Sequence, residues 1–196
     1  MPIATNRLIL RRFERRDMSD VLGFVSQASV ARTISGRIQA TETGIRDYID
    51  LQNSYAPFEE GKVFELAVER KEDGRVVGLV GLIRRSRGQG EIGWVLGAEY
   101  RGQGYATEAA GALLEYGFRS LSLHRIHADT DRDNIASLRV MERLGMRRET
   151  LPGDSSYEAG EQVDKYGYTL LVDEWDHAAA SGRRDKTAGD SVRSGG

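Results

Sequence analysis

Residues Arg101-Gly102-Gln103-Gly104-Tyr105-Ala106 have the types and spacing of a phosphate-holding turn. They stand between an apolar run, Glu91-Ile92-Gly93-Trp94-Val95-Leu96, and a long amphipathic helical pattern. At a helix start the first backbone N–H groups lack intrahelical partners, and the helix dipole adds positive potential there. Strand, glycine turn and helix start together make a place for a phosphorylated ligand. Glycine lets the backbone approach phosphate oxygens with no Cβ between them. Other patterns fail on context. Gly88-Gln89-Gly90-Glu91-Ile92-Gly93 has dinucleotide-fingerprint letters, but an apolar strand follows where a helix is needed. Gly61-Lys62 precedes Val63 and lacks the upstream glycine of a P-loop. His124 and His127 are three apart on an expected strand and point to opposite faces, so no shared metal is expected. The chain has no cysteine, which excludes disulfides, thiolate metal sites and a cysteine nucleophile.

The elements that must position this turn can be read from periodicity. Leu8-Ile9-Leu10 between two arginines reads as a strand, and Asp17 to Val25 as a helix. Residues 27–41 read as irregular. Thr41 to Glu60 reads as a second helix, capped by Thr41 and disturbed at its end by Pro57. Phe64, Leu66 and Val68 alternate with Glu65, Ala67 and Glu69, the pattern of a half-buried strand. Asp73-Gly74 marks a hairpin turn into a more buried strand, Val76 to Ile83. After Gly104, residues Ala106, Ala109, Ala110, Leu113, Leu114, Gly117 and Phe118 form one helical stripe whose small members allow close packing on a sheet. Arg125 to Asp131 reads as a strand. Asn134 caps a helix that Gly145 ends. Met146 to Leu151 and Gln162 to Val172 read as two last strands joined by a Pro152-Gly153 loop.

With 196 residues, 39% of them hydrophobic and 30% charged, the chain has the composition of one soluble domain. Residues 1–177 are expected to be that domain and 178–196 a disordered tail rich in Ala, Gly, Ser and charge. The tail carries four basic and two acidic residues; of the formal net charge of -2, the body therefore holds -4. That balance gives no expectation of nucleic-acid binding. The longest apolar run is too short to span a bilayer, and the first residues have no signal-peptide core, so a cytoplasmic location is expected.

In this order the elements and the turn resemble the GNAT superfamily of acetyl-CoA-dependent N-acetyltransferases, over roughly residues 5–176. Arg101, Gly104 and Ala106 fill the family's (Gln/Arg)-x-x-Gly-x-(Gly/Ala) turn. Within the family the chain looks most like the RimJ/RimL-like branch. The matching segments are Thr5-Asn6-Arg7-Leu8-Ile9-Leu10-Arg11, Glu91-Ile92-Gly93-Trp94, Gly104-Tyr105-Ala106-Thr107-Glu108-Ala109, and Asn134-Ile135-Ala136-Ser137 followed by Glu142-Arg143-Leu144-Gly145-Met146. Four motifs in order are far more specific than any one of them. The resemblance implies an α/β fold: a mixed, mostly antiparallel central sheet of about seven strands flanked by about four helices.

It also implies a site. Acetyl-CoA is the co-substrate, with no metal. Its diphosphate docks on backbone N–H groups of Gly102, Gln103, Gly104, Tyr105 and Ala106, beside Arg101 and Thr107. The pantetheine arm pairs with the strand end near Val95 and Leu96, where a backbone N–H polarises the thioester carbonyl. The acceptor amine attacks directly, which fits the absence of cysteine. Glu91 accepts its proton through water. Many relatives place a tyrosine seven residues after the Asn, and here that position is Met141. Ser137 resembles the serine of the RimJ/RimL-like branch and is expected to hydrogen-bond the leaving thiolate. Asn134 caps its helix, binds pantetheine, or does both. Glu108 is expected to be structural.

An α-amine with a pKa near ~7.7 is neutral about one time in six at pH 7, a lysine near ~10.4 about once in 2,500. A single carboxylate base therefore suits an α-amine, or one acidified by neighbours. A protein N-terminus and a small-molecule amine both remain as acceptors, in a pocket expected along residues 27–41 and 152–162. A monomer or a homodimer fits equally. The rival from another class is a non-catalytic acyl-CoA-binding sensor or scaffold, which the missing tyrosine keeps open.

Overall fold

Alternating apolar residues on successive strands build a sheet with a core on each face. The computed structural model describes residues 2–31, 34, 37–149, 155–158 and 161–180. Among these, nine strands and six α-helices occur. The strands are β1 (Ile3–Ala4), β2 (Leu8–Arg11), β3 (Val63–Arg70), β4 (Val76–Arg85), β5 (Gln89–Leu96), β6 (Arg125–Asp131), β7 (Arg147–Glu149), β8 (Ser155–Glu158) and β9 (Glu161–Leu171). The helices are α1 (Met18–Val25), α2 (Ala28–Ala31), α3 (Glu42–Ser54), α4 (Tyr105–Arg119), α5 (Ile135–Arg143) and α6 (Val172–Ala180). Strands follow the order β1-β2-β3-β4-β5-β6-β9-β7, with β8 also on β9. The sheet is mixed and mostly antiparallel, as expected.

One junction departs from that antiparallel pattern. β5 and β6 run parallel and pair only through Gln89, Gly90 and Glu91 against Arg125, Ile126 and His127. Beyond Glu91 the pairing stops, while β5 stays paired with β4 along its whole length. The sheet is therefore split below residue 91, and α4 and α5 follow the two strands that diverge there.

Each face has its own apolar layer. α4 lays Ala109, Ala110, Leu113 and Leu114 into a cluster with Leu66, Val80, Leu82 and Ile126. A Cβ on Gly117 would stand 2.8 Å from Ile126 Cδ1, so the small residues of α4 do allow its close approach. On the other face Phe24, Ile45 and Ile49 pack with Ala67, Leu79 and Val95. Each large side chain so buried contributes about 2 kcal/mol.

The structure corrects several readings. β3 is buried on both faces, because α1 and α3 cover the side that carries Glu65 and Ala67. α3 ends at Ser54, before Pro57, where Tyr55 turns extended. Thr41 caps it by accepting from Gly44 N–H at 3.1 Å. Residues 27–41 contain a short helix, α2. β1, β8 and α6 are additional: β1 is two residues long, and β8 lies where a loop was expected. α6 runs to Ala180, past the expected boundary at 177, and the tail beyond it lies outside the described residues. The end of the expected strand at 150–151 and the Pro152-Gly153 loop lie outside them too. No helix among the described residues is long and apolar enough to cross a membrane.

Candidate active site

The glycine turn has the local geometry that an anion site needs. Gly102 and Gly104 have φ of +76° and +81°, a region that side-chain-bearing residues avoid. Gly104 caps α4 with no side-chain hydrogen bond, so the first N–H groups of this 15-residue helix stay open. Glu108, one turn in, accepts from the Thr5 hydroxyl at 2.6 Å, Arg7 N–H at 2.7 Å and Arg7 Nε at 2.6 Å. Burial pushes its carboxyl up, but these donors outweigh burial and hold it below the usual glutamate range. Arg7 also donates to the Gln103 carbonyl at 2.9 Å and lies over the Tyr105 ring. Glu108 is thus structural, as expected. It clamps the turn to the start of the chain.

Where β5 and β6 part, a cavity of about 540 Å³ opens beside the turn. Leu96, Arg101, Gly102, Gly104, Tyr105, Ala106 and Thr107 line it from one side, Asn134 and Ser137 from the other. Gln103 does not line it. Its side chain turns back to the Glu99 carbonyl at 2.9 Å. Arg139 and Arg143, one turn apart on α5, add two cations that the motif reading missed. Their i, i+4 spacing after the Asn134 cap was the available signal.

Thr107 lines the cavity, but not with its hydroxyl. Its Oγ1 is buried and has no hydrogen-bond partner, the single such side-chain atom among the described residues. A buried hydroxyl left unpaired costs about 1–3 kcal/mol. A phosphorylated ligand with many acceptor oxygens fits this lining of open helix N–H groups and three arginines.

A second cavity of about 330 Å³ adjoins the first, and both are lined by Trp94, Val95 and Ser137. Gly97 N–H donates to the Val77 carbonyl at 3.0 Å. Main-chain groups alternate sides along a strand, so Val95 turns its own to Leu79 of β4. The main chain that faces the gap is that of Trp94 and Leu96, and Arg101 Nε reaches the Leu96 carbonyl at 3.3 Å. Val95 enters the site as a wall residue, whereas an amide there was expected.

Ser137 stands where the two cavities meet. Its N–H donates to Asn134 Oδ1 at 3.1 Å, which makes Asn134 the N-cap of α5. Among the described residues the Ser137 hydroxyl makes no hydrogen bond. Met141, one turn further, is buried and lines the smaller cavity only. Glu91 lines that cavity as well and accepts from Arg85 Nη2 at 2.7 Å.

Sequence reading missed the other charged groups of the smaller cavity. Glu65 is 5% exposed and accepts from Tyr48 Oη at 2.7 Å and Arg37 Nη2 at 2.9 Å. Its own N–H donates to Gln52 Oε1. Burial first, then the Glu65 charge, push the Tyr48 phenol well above its ordinary value, so Tyr48 stays a donor. Asp129 and Lys165 pair at 3.5 Å on the opposite wall. Strand alternation placed Glu65 with the solvent-facing set; Ala67 on the same face was the sign that a helix covers it. Of the expected acceptor-pocket segments, 32–33, 35–36, 152–154 and 159–160 lie outside the described residues. No group of three or more His, Cys, Asp or Glu that could hold a metal occurs among the described residues.

The family model described as "Acetyltransferase (GNAT) domain" matches residues 7–147. "Uncharacterized N-acetyltransferase YnaD" of Bacillus subtilis (strain 168) is 35% identical over 175 residues, 89% of this chain and 99% of that protein. The crystal structure of an acetyltransferase (GNAT family) from Bacillus anthracis aligns with a TM-score of 0.76 at 32% identity, covering 87% of this chain and 98% of that one. The fold is also that of RimL, an alpha-N-protein acetyltransferase solved in complex with coenzyme A, at a TM-score of 0.70 and 16% identity over 89% and 99% of the two chains.

Proposed function

The chain belongs to the GNAT acetyltransferase family, whose members transfer acetyl groups from acetyl-CoA to amines, and from that premise we propose how its residues divide the work. The thioester supplies the acetyl group and a thiolate leaving group. The main-chain N–H groups from Gly102 to Thr107, with Arg101, Arg139 and Arg143, neutralise and orient the diphosphate. Trp94 and Leu96 offer main-chain N–H groups to the pantetheine arm and the acyl carbonyl.

On the acceptor side the amine is primary: a protein N-terminal α-amine or a small-molecule amine. Glu91 takes its proton through water. The Ser137 hydroxyl hydrogen-bonds the departing sulfur; a serine is too weak an acid to donate fully. The amine attacks directly while both substrates are bound. The observation that carries this reading is the meeting of two cavities at Trp94, Val95 and Ser137, one beside the phosphate turn and one beside Glu91. Bringing both reactants to that junction contributes several kcal/mol by removing the cost of their encounter. The enzyme so proposed is cytoplasmic, without nucleic-acid or membrane partners, and acts as a monomer or homodimer; the net charge of -4 on its body agrees with the absence of a polyanionic partner.

The test is thiol release from acetyl-CoA across a panel of peptides, polyamines and aminoglycosides. Turnover with at least one class is expected, with both substrates required before either product leaves. Tight CoA binding with no turnover on any amine would make the protein a sensor of acyl-CoA instead.

A further inference from the structure

Every carboxylate that lines the smaller cavity already holds a cation. Glu65 binds Arg37 at 2.9 Å, Glu91 binds Arg85 at 2.7 Å, and Asp129 binds Lys165 at 3.5 Å. Each of these acids is thus partly neutralised, which weakens its pull on a polycation. It does offer donors. Arg37 spends one Nη2 contact on Glu65, its side chain is 45% exposed, and it makes no other side-chain hydrogen bond among the described residues. A guanidinium has five N–H donors in a rigid fork, so most of them remain beyond the Glu65 contact, on a side chain that lines the cavity.

Glu65 is built to hold that fork still. Tyr48 bonds one carboxylate oxygen and Arg37 the other, while Gln52 grips the Glu65 main chain. Gly81 lies beneath it: a Cβ there would stand 2.7 Å from Glu65 Cγ. A buried acid with this many fixed contacts anchors an arginine with little loss of side-chain freedom on binding.

We propose that Arg37, braced by Glu65, is the acceptor-recognition residue, and that it binds a carbonyl or carboxylate oxygen next to the amine that is acetylated. Glu65 is a positioning residue that acts through Arg37. The acceptor so selected is an amine with an oxygen acceptor beside it, as at the α-amine end of a peptide or an amino acid amide. A polyamine, which has only further cations to offer, is disfavoured by the same guanidinium. This inference rests on the acetyltransferase reading above.

The experiment is steady-state kinetics of the full chain with acetyl-CoA and three acceptors: a tripeptide with a free α-amine, an amino acid amide, and spermidine. Arg37→Ala is expected to raise KM for the tripeptide and the amide about tenfold with kcat unchanged, because the contact is one of binding rather than of chemistry. Arg37→Lys restores part of the loss, since it keeps the charge but not the fork. Glu65→Gln gives the same KM-only pattern more weakly, and Arg37→Ala then adds little to it. Arg37 lies at the surface with nearly half of its side chain exposed, so its variants fold even if Glu65→Gln does not. Unchanged tripeptide KM in Arg37→Ala overturns the proposal, and so does turnover of spermidine with both α-amine acceptors silent; acetyltransfer itself would survive either result. Silence on every amine would overturn the acetyltransferase reading and this inference together.

Discussion

Arg7 and Glu108 are 101 residues apart in the chain, yet their side chains meet at 2.6 Å and fasten the start of α4 to the segment that leads into β2. The same carboxylate also takes the Arg7 N–H and the Thr5 hydroxyl, so one residue joins the chain start to the first turn of α4. Glu108→Ala is expected to cost about 2 kcal/mol, because it strands these donors. That corresponds to a Tm lower by about 5 °C. The pH dependence has a definite sign. The folded-state carboxyl titrates below its unfolded value, so its stabilisation is complete above the ordinary glutamate range and disappears as pH falls through the lower folded value. Thermal unfolding from pH 6 to pH 3 should show Glu108→Ala losing less stability on acidification than the parent protein.

Gly104→Val should abolish tight CoA binding while leaving the sheet intact. A branched residue at φ +81° is strained by about 1–2 kcal/mol, and its Cβ would stand 3.3 Å from Arg7 Nη2. Calorimetric titration with CoA is expected to show affinity reduced at least about tenfold. Unaltered affinity would refute the phosphate-turn assignment.

Thr107→Val is expected to raise stability and leave the cofactor site intact. Removing an orphaned buried hydroxyl stabilises the free protein by about 1 kcal/mol, or about 3 °C in Tm. The hydroxyl is closed off from the cavity, so CoA affinity is expected to stay within about twofold of the parent protein's. A clear loss of affinity in calorimetric titration would show that the hydroxyl turns to the ligand on binding.

Glu91→Gln should reduce kcat strongly at pH 6 and only a few-fold at pH 9. At high pH an amine with a pKa near ~7.7 is already neutral and needs no base. Equal losses at both pH values would remove Glu91 from the proton path.

Ser137→Ala should lower kcat on the order of a hundredfold, as for loss of one transition-state donor, with KM for acetyl-CoA nearly unchanged. A slower variant whose deficit disappears with a better thiolate leaving group would confirm the role at sulfur. A variant with normal kcat would leave water as the partner of the thiolate.

Elements with strong local signals are legible from the residues alone. Gly102 and Gly104 announce a turn that needs positive φ. Asn134 and Gly145 punctuate α5, and the small-residue stripe of α4 states that it packs closely on a sheet. These are short-range rules, so they survive without knowledge of the fold. The short β1 and β8 carry too few residues for a periodic signal, and each becomes a strand only because β2 or β9 offers an edge. Tertiary structure alone decided the two-sided burial of β3, which turned Glu65 from a surface acid into the anchor of a cavity wall. It also decided the site's depth. Where β5 and β6 stop pairing at Glu91 and His127 is a matter of register between residues more than thirty positions apart. Periodicity records which way a side chain points along its own strand, but the gap that admits a substrate exists only between strands.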